Sequence, residues 1–215
     1  NMYFNADYAR ARGVELILKS RLLKHWFADI NFNYSIVTGK SSSPLDNLLV
    51  QAGQLSEKPL GENYMSWDRP INFFTNLSYN HPSGYGISLR LEYMSGRRYT
   101  RSIVDEIIEV DGRKYYEGPR EDNQPYAQVS KVPSKNVDLK LFKKFQLARY
   151  GFKVYMDFEN LFNERIPRRI NPFTGRGYDQ GEIIGYYLIN RPDPNLDPSR
   201  FRKPRSIELG IQTTF

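Results

Sequence analysis

Residues 85–93, Tyr-Gly-Ile-Ser-Leu-Arg-Leu-Glu-Tyr, put Tyr85, Ile87, Leu89, Leu91 and Tyr93 at every second position, with Gly86, Ser88, Arg90 and Glu92 between them. A period of two is the repeat of a β-strand, whose successive side chains point to opposite faces. The stretch therefore reads as a strand with one apolar and one polar face. Six further segments follow the same rule. Val14, Leu16 and Leu18 oppose Gly13, Glu15 and Lys19, and Ala28, Ile30, Phe32, Tyr34 and Ile36 oppose Asp29, Asn31, Asn33 and Ser35. Ile71, Phe73, Thr75, Leu77 and Tyr79 oppose Asn72, Asn76 and Ser78, while Val137, Leu139 and Leu141 oppose Asp138 and Lys140. Phe152, Val154, Met156 and Phe158 oppose Lys153, Asp157 and Glu159; Ile207, Leu209, Ile211, Thr213 and Phe215 oppose Ser206, Glu208, Gln212 and Thr214. None of the apolar-face positions carries a charge or a side-chain amide, although 26% of the chain is charged.

The connections sort by length. Short ones fall at 20–25, 80–84 and 146–151, and long ones at 39–68, 96–134 and 163–204. Strict alternation of short and long places tight turns at one end of an antiparallel sheet and large loops at the other. Transmembrane barrels sort their connections this way, and their strands need only about 9 to 11 residues to cross. Loops longer than about 15 residues are uncommon in compact domains unless they bind something or lack order. Within the first loop, Leu48 to Leu55 predicts a short helix. In the second, the alternation of Val104, Glu106, Ile108 and Val110 predicts a hairpin above the rim, followed by a turn-rich run from Asp111 to Tyr126.

Composition narrows the function classes. The 215 residues include no Cys and only 2 His, which leaves no disulfide framework, no thiolate chemistry and no zinc cluster. With 31 Lys and Arg against 24 Asp and Glu the net charge is +7. No run of basic residues accompanies that excess, so nucleic acid is not among the expected partners. Aromatic residues make up 14% of the chain, which suits strands. No stretch has the roughly 18 apolar residues of a membrane helix, and the opening residues show no signal-peptide pattern.

In the barrel reading, Glu15, Asp29, Arg90, Glu92, Asp138, Lys140, Asp157 and Glu159 line the lumen, where mixed charges solvate the interior. The pair Asp157 and Glu159 has the spacing of a same-face carboxylate pair, but neighbouring Lys153 points to an ion network rather than glycoside hydrolysis. His25 and His81 fall in short turns, so no nucleophilic triad or metal centre is expected, no cofactor is implied, and the chain reads as no enzyme. Asp193, Asn195, Asp197 and Ser199 alternate oxygen donors but lack the Gly and Glu of a calcium loop, and the prolines among them favour rigid turns. Trp26, Phe27, Tyr79, Tyr85 and Phe152 stand beside the short turns as an aromatic girdle. The long loops hold Tyr64, Trp67, Arg97, Tyr99, Arg101, Tyr115, Tyr116, Arg120, Tyr126, Tyr178 and Tyr186. These suit a ligand surface built by stacking and hydrogen bonding, and equally the aromatic mini-cores that large loops need for order.

Four strings carry a resemblance: RARGVEL at 10–16, FENLFN at 158–163, INPFTGRGY at 170–178, and the terminal PRSIELGIQTTF. In this order and spacing they resemble the C-terminal part of the β-barrel of a TonB-dependent outer-membrane receptor, across nearly all of residues 1–215. The loop lengths are most similar to those of the Bacteroidetes type. The resemblance implies an all-β, antiparallel transmembrane barrel segment of about seven strands, with short periplasmic turns and long extracellular loops, in the bacterial outer membrane. It implies active uptake of a solute, outer-membrane lipid around the wall, Phe215 as an assembly signal, and a surface lipoprotein as a further partner. Such receptors also have a plug that contacts TonB, and nothing here resembles it. An odd strand number predicts that further strands and the plug lie in another part of the polypeptide or another chain. A non-transporting scaffold or adhesion protein, and a soluble β-sheet binding protein, remain the alternatives at this point.

Overall fold

In a computed structural model of the chain, residues 8–40, 51–53, 62–118, 120–121, 126–147, 149–182 and 196–214 are described. They form an all-β, antiparallel structure. The strands are β1 (Ala9–Leu23), β2 (Trp26–Gly39), β3 (Asn63–Tyr64), β4 (Ile71–Asn80) and β5 (Tyr85–Met94). The second long connection contains β6 (Arg98–Tyr99), β7 (Ser102–Ile103), β8 (Glu106–Val110), β9 (Arg113–Glu117), β10 (Arg120–Glu121) and β11 (Gln128–Val129). The last three are β12 (Ser134–Leu147), β13 (Tyr150–Glu159) and β14 (Ser206–Thr214).

The main sheet has the order β1-β2-β4-β5-β12-β13-β14, with β3 added to the end of β2. Each long strand thus lies beside the long strand that follows it in the chain. The sheet is open, since among the described residues β1 and β14 do not pair. Strands run further into the short connections than the sequence pattern suggests: β1 passes an irregularity between Ser20 and Leu23, and the first turn is Lys24 and His25 alone.

The register fixes the faces, because directly opposed residues in an antiparallel pair share one. Leu18, Ile30 and Thr75 align, as do Leu77, Leu89, Leu139 and Phe158. The complementary row runs Lys19, Asp29, Asn76, Arg90, Asp138 across five strands, so charges of opposite sign meet on neighbouring strands. The polar face is less uniform than the sequence reading has it. Ile17, Phe27, Phe74, Phe142 and Tyr155 stand on it, and Phe27 therefore leaves the proposed girdle, being opposite Ser78. Glycines make room for two of these rings. A Cβ at Gly86 would come within 2.4 Å of Phe142, and one at Gly210 within 2.3 Å of Tyr155.

The apolar face is uncovered. Leu16 is 63% exposed, Leu209 68% and Ile211 69%, and Val14, Leu18, Ile87, Leu141 and Ile207 are exposed with them. The buried apolar side chains are Met65, Tyr115, Tyr116, Ile166 and Tyr178. All five belong to the long connections, so the packed core of the described residues sits at the loop end and not on either face of the sheet.

Two connections show how. Asp111 and Gly112 both have positive φ, 52° and 71°, the conformation a tight hairpin turn needs, and they join β8 to β9. The hairpin expected from Val104 to Val110 is present, but its return strand is Arg113–Glu117, within the run read from sequence as turn-rich. Below it, β7 pairs with β10 and β6 with β11. The short helix expected over 48–55 lies outside the described residues except for 51–53.

Candidate functional site

The eight residues expected to line a lumen share the polar face, and most are engaged in ion pairs or hydrogen bonds, four of them with one another. Asn31 donates to Glu15 at 2.9 Å, Lys140 lies 2.6 Å from Asp157, and Arg90 lies 3.9 Å from Glu92. Asp138 accepts from the Asn136 amide at 2.8 Å and from the Asn160 backbone N–H at 2.9 Å. Glu159 accepts from Lys203 at 2.8 Å and from Ser206 at 2.9 Å. Asp157 and Glu159 are thus each held by a cation from a different partner, an arrangement of ion pairs and not of a free acid and base.

At the loop end, the strands β4 and β5 continue their alignment beyond Asn72 and Met94. Ser95 donates its N–H to Ile71 O at 2.8 Å, and three residues further out Arg98 meets Asp68, Nε to Oδ2, at 2.9 Å. Asp68 is fully buried and Arg98 nearly so, and the second carboxylate oxygen accepts the Val37 N–H at 3.0 Å. The Arg98 guanidinium also stacks on Tyr64, 3.7 Å from the ring centre, and donates to Ala127 O. One ion pair thereby ties β2, β3 and two long connections together.

The third connection is organised by FENLFN and INPFTGRGY. Asn160 and Asn163 both take left-handed φ of 53°, which Asn tolerates better than most residues. The Asn160 side chain accepts from Glu164 N–H at 2.8 Å and donates to Glu164 O at 2.9 Å, closing the turn at the end of β13. Asn171 is completely buried. It donates to Glu182 at 2.8 Å and accepts from the Phe173 N–H at 3.0 Å, and Phe173 stacks on Tyr116 with ring centres 4.2 Å apart. Lys114 N–H donates to Gly181 O, and Lys131 N–H to Gly175 O, so the second and third connections are joined along their length.

Of the loop residues offered to a ligand, Tyr115, Tyr116 and Tyr178 are buried, which corrects the expectation that their rings face one. Burial raises the phenol pKa of Tyr116 and Tyr178, with Glu182 reinforcing the shift at Tyr116 and the Arg200 charge opposing it at Tyr178. Tyr99 lies against Gly175, Tyr126 holds a left-handed turn with its N–H on Thr100, and Arg97 donates to Arg168 O at 2.9 Å. Tyr64 is under Arg98. Trp67 is 55% exposed, Arg101 is exposed, and Arg120 pairs by its backbone with Ile103. Tyr186, Asp193, Asn195 and Phe215 lie outside the described residues. Asp197 caps a 3-10 turn at Pro198–Arg200, accepting from the Ser199 N–H at 2.9 Å, and the Ser199 hydroxyl followed by that N–H lowers its pKa. His81 stacks on Tyr85 at 4.3 Å. Among the described residues no group of acidic or His side chains is placed to hold a metal.

The arginines that the sequence reading missed are Arg69 and Arg202. Arg202 reaches Glu92 at 3.0 Å from the third connection, and beside it a cleft of about 270 Å³ is lined by Asn136, Asp138, Ile166, Arg168 and Lys203. Sequence proximity gives no hint of this contact.

The fold defines a class, an open antiparallel all-β sheet with its long connections packed at one end. Comparison with protein-family models, with curated proteins and with solved structures finds no match for this chain.

Proposed function

We propose that this chain forms part of the wall of an outer-membrane β-barrel receptor that takes up a solute by TonB-dependent active transport, its long connections forming the capture face. The observation that carries the reading is the apolar face. It is free of charge over the central rows and is exposed or half-exposed on every long strand, while the packed core lies elsewhere. In water such a face costs roughly 25 cal/mol for each Å² left uncovered, whereas hydrocarbon accepts it. Hydrocarbon does not accept unpaired backbone, so in this reading the free edges of β1 and β14 pair with further strands of the barrel.

Other features support it. Lys143 stands on the outer face next to the short turns, donates to Ser83 O at 2.9 Å and lies 5.4 Å from the Tyr85 ring centre, the position of a cation reaching out of hydrocarbon to a membrane surface. Trp26 and Tyr79 pack nearby with ring centres 4.8 Å apart and complete a belt. The ion-paired face then borders the lumen and the plug through which TonB supplies energy. Fractionation of the native source, followed by extraction with and without detergent, tests the placement; TonB-dependent accumulation of a labelled solute tests the transport. Release into buffer without detergent would overturn the membrane assignment, and TonB-independent solute levels would leave a scaffold in its place.

A further inference from the structure

Each long connection brings one arginine to the loop end of β4 and β5, where Arg202 reaches Glu92 on the polar face. Arg69 ends the first connection, Arg97 begins the second, and Arg202 closes the third. The alignment of β4 with β5 runs from Asn72 and Met94 through Ile71 and Ser95 to Asp68 and Arg98. Arg69 and Arg97 lie in the segments that flank β4 and β5 between those points, and Arg97 meets the third connection at Arg168 O, the Arg168 N–H in turn bonding Arg200 O two residues from Arg202. Like charges brought together in this way repel one another. Arg202 adds a third, held on Glu92, and burial followed by the charges of Arg97 and Arg202 works against the protonated form of Arg69. Glu92, the acid in reach, is already shared by Arg202 and Arg90. Among the described residues no carboxylate lies within ion-pair distance of Arg69 or Arg97.

We propose that Arg69, Arg97 and Arg202 form a binding site for an oxyanion, a carboxylate or phosphate group carried by the captured solute. The inference rests on the receptor reading and deepens it by naming the chemical class of the solute. Three arginines with one shared acid supply planar donor forks matched to such groups. Their convergence from three separate connections, at the mouth of the face that would border the lumen, makes the site available to a solute arriving from the loop side. Arg97 is positioned for this by its bond to Arg168 O, and Arg202 by its backbone N–H on Ile166 O at 2.8 Å.

The test is calorimetric titration of the complete protein, purified in detergent, with pyrophosphate and with citrate at low salt. At least one of the two probes should bind, and Arg69→Gln, Arg97→Gln and Arg202→Gln should each weaken that binding roughly tenfold or more. Arg149→Gln, in a turn at the opposite end, should leave it unchanged. Glu92→Gln removes the competing acid and should tighten binding severalfold, a gain that misfolding does not produce. Failure of both probes to bind, arginine variants that bind like the parent, or weaker binding in Glu92→Gln would overturn the site. A phospholipid adduct retained by the parent and lost in Arg97→Gln, seen by native mass spectrometry, would overturn it in favour of a membrane headgroup. Detergent dependence reads the receptor assignment separately: a protein that needs detergent but binds neither probe loses only the anion site.

Discussion

Arg98 and Asp68 form an ion pair of 2.9 Å that solvent barely reaches, and through the Val37 N–H the pair ties the end of β2 to the first and second long connections. Removing one partner leaves the other charge buried. Asp68→Ala should therefore destabilise the loop end by about 3 to 5 kcal/mol, while Asp68→Leu combined with Arg98→Met recovers most of the loss. Hydrogen exchange at the amides of Met65 and Ser130 checks both, with faster exchange expected in the single variant alone, whereas Val37, whose acceptor both variants remove, should exchange faster in each.

Leu89 sits in the middle of the charge-free face between Leu77 and Leu139. Under the membrane reading Leu89→Arg should cost about 2 to 4 kcal/mol for protein folded into lipid vesicles. Asn33→Arg, on the polar face opposite Glu15, should change stability by less than about 1 kcal/mol. Urea titration of the two variants in vesicles measures the contrast, and equal sensitivity at both positions would remove the distinction between the faces.

Asn171→Leu takes away the side-chain donor to Glu182 and the acceptor of the Phe173 N–H. A buried carboxylate losing a partner costs about 1 to 3 kcal/mol. Because Phe173 stacks on Tyr116, the second connection should loosen with the third. Limited proteolysis should then cut between residues 96 and 134 in the variant under conditions that leave the parent whole.

The end of the first connection is pH-sensitive in two directions. Hydrogen bonds from Tyr8, at 2.7 Å, and then from Thr38 lower the Glu62 pKa, and the same bond to Glu62 raises that of Tyr8. A lowered carboxyl pKa adds stability above its ordinary range, about 4.3, that disappears as pH falls through the folded value. A raised phenol pKa adds stability below about 10 that disappears as pH rises through the folded value. The contact should accordingly be fully formed between about pH 4.3 and 10 and open only beyond those limits, as pH passes the lowered Glu62 value on the acid side or the raised Tyr8 value on the alkaline side. Protection of the Lys40 amide, bonded to Tyr8 O, reports it, and Glu62→Gln should remove the acid limb of the profile.

The order and facing of the long strands were legible because a charge-free alternate face leaves only one register, as Leu77, Leu89 and Leu139 show. Phe74, Phe142 and Tyr155 were not, since rings among charges break no rule of period two, and what accommodates two of them is Gly86 and Gly210 on a neighbouring strand. The loop tyrosines divide into buried and open by contacts distant in sequence. Nothing near Tyr116 tells that Phe173 will cover it. Arg69 and Arg97 become neighbours only when strand pairing is carried past Met94 to Asp68 and Arg98, beyond where the alternation fades.

The ladder within the second connection also bears on how the sheet assembles. Bringing β5 to β12 across an unstructured span would carry a closure entropy that grows as the logarithm of its length, about 0.6 kcal/mol for each doubling. The Asp111-Gly112 turn instead starts a β8–β9 hairpin, and the pairings β7 with β10 and β6 with β11 each close a gap shortened by the one before. The connection can zip from its tip toward the sheet, delivering Met94 beside Ser134 through a series of short closures. A sheet in which each long strand waits only for the next thereby keeps its search local, even where the chain makes its longest excursions.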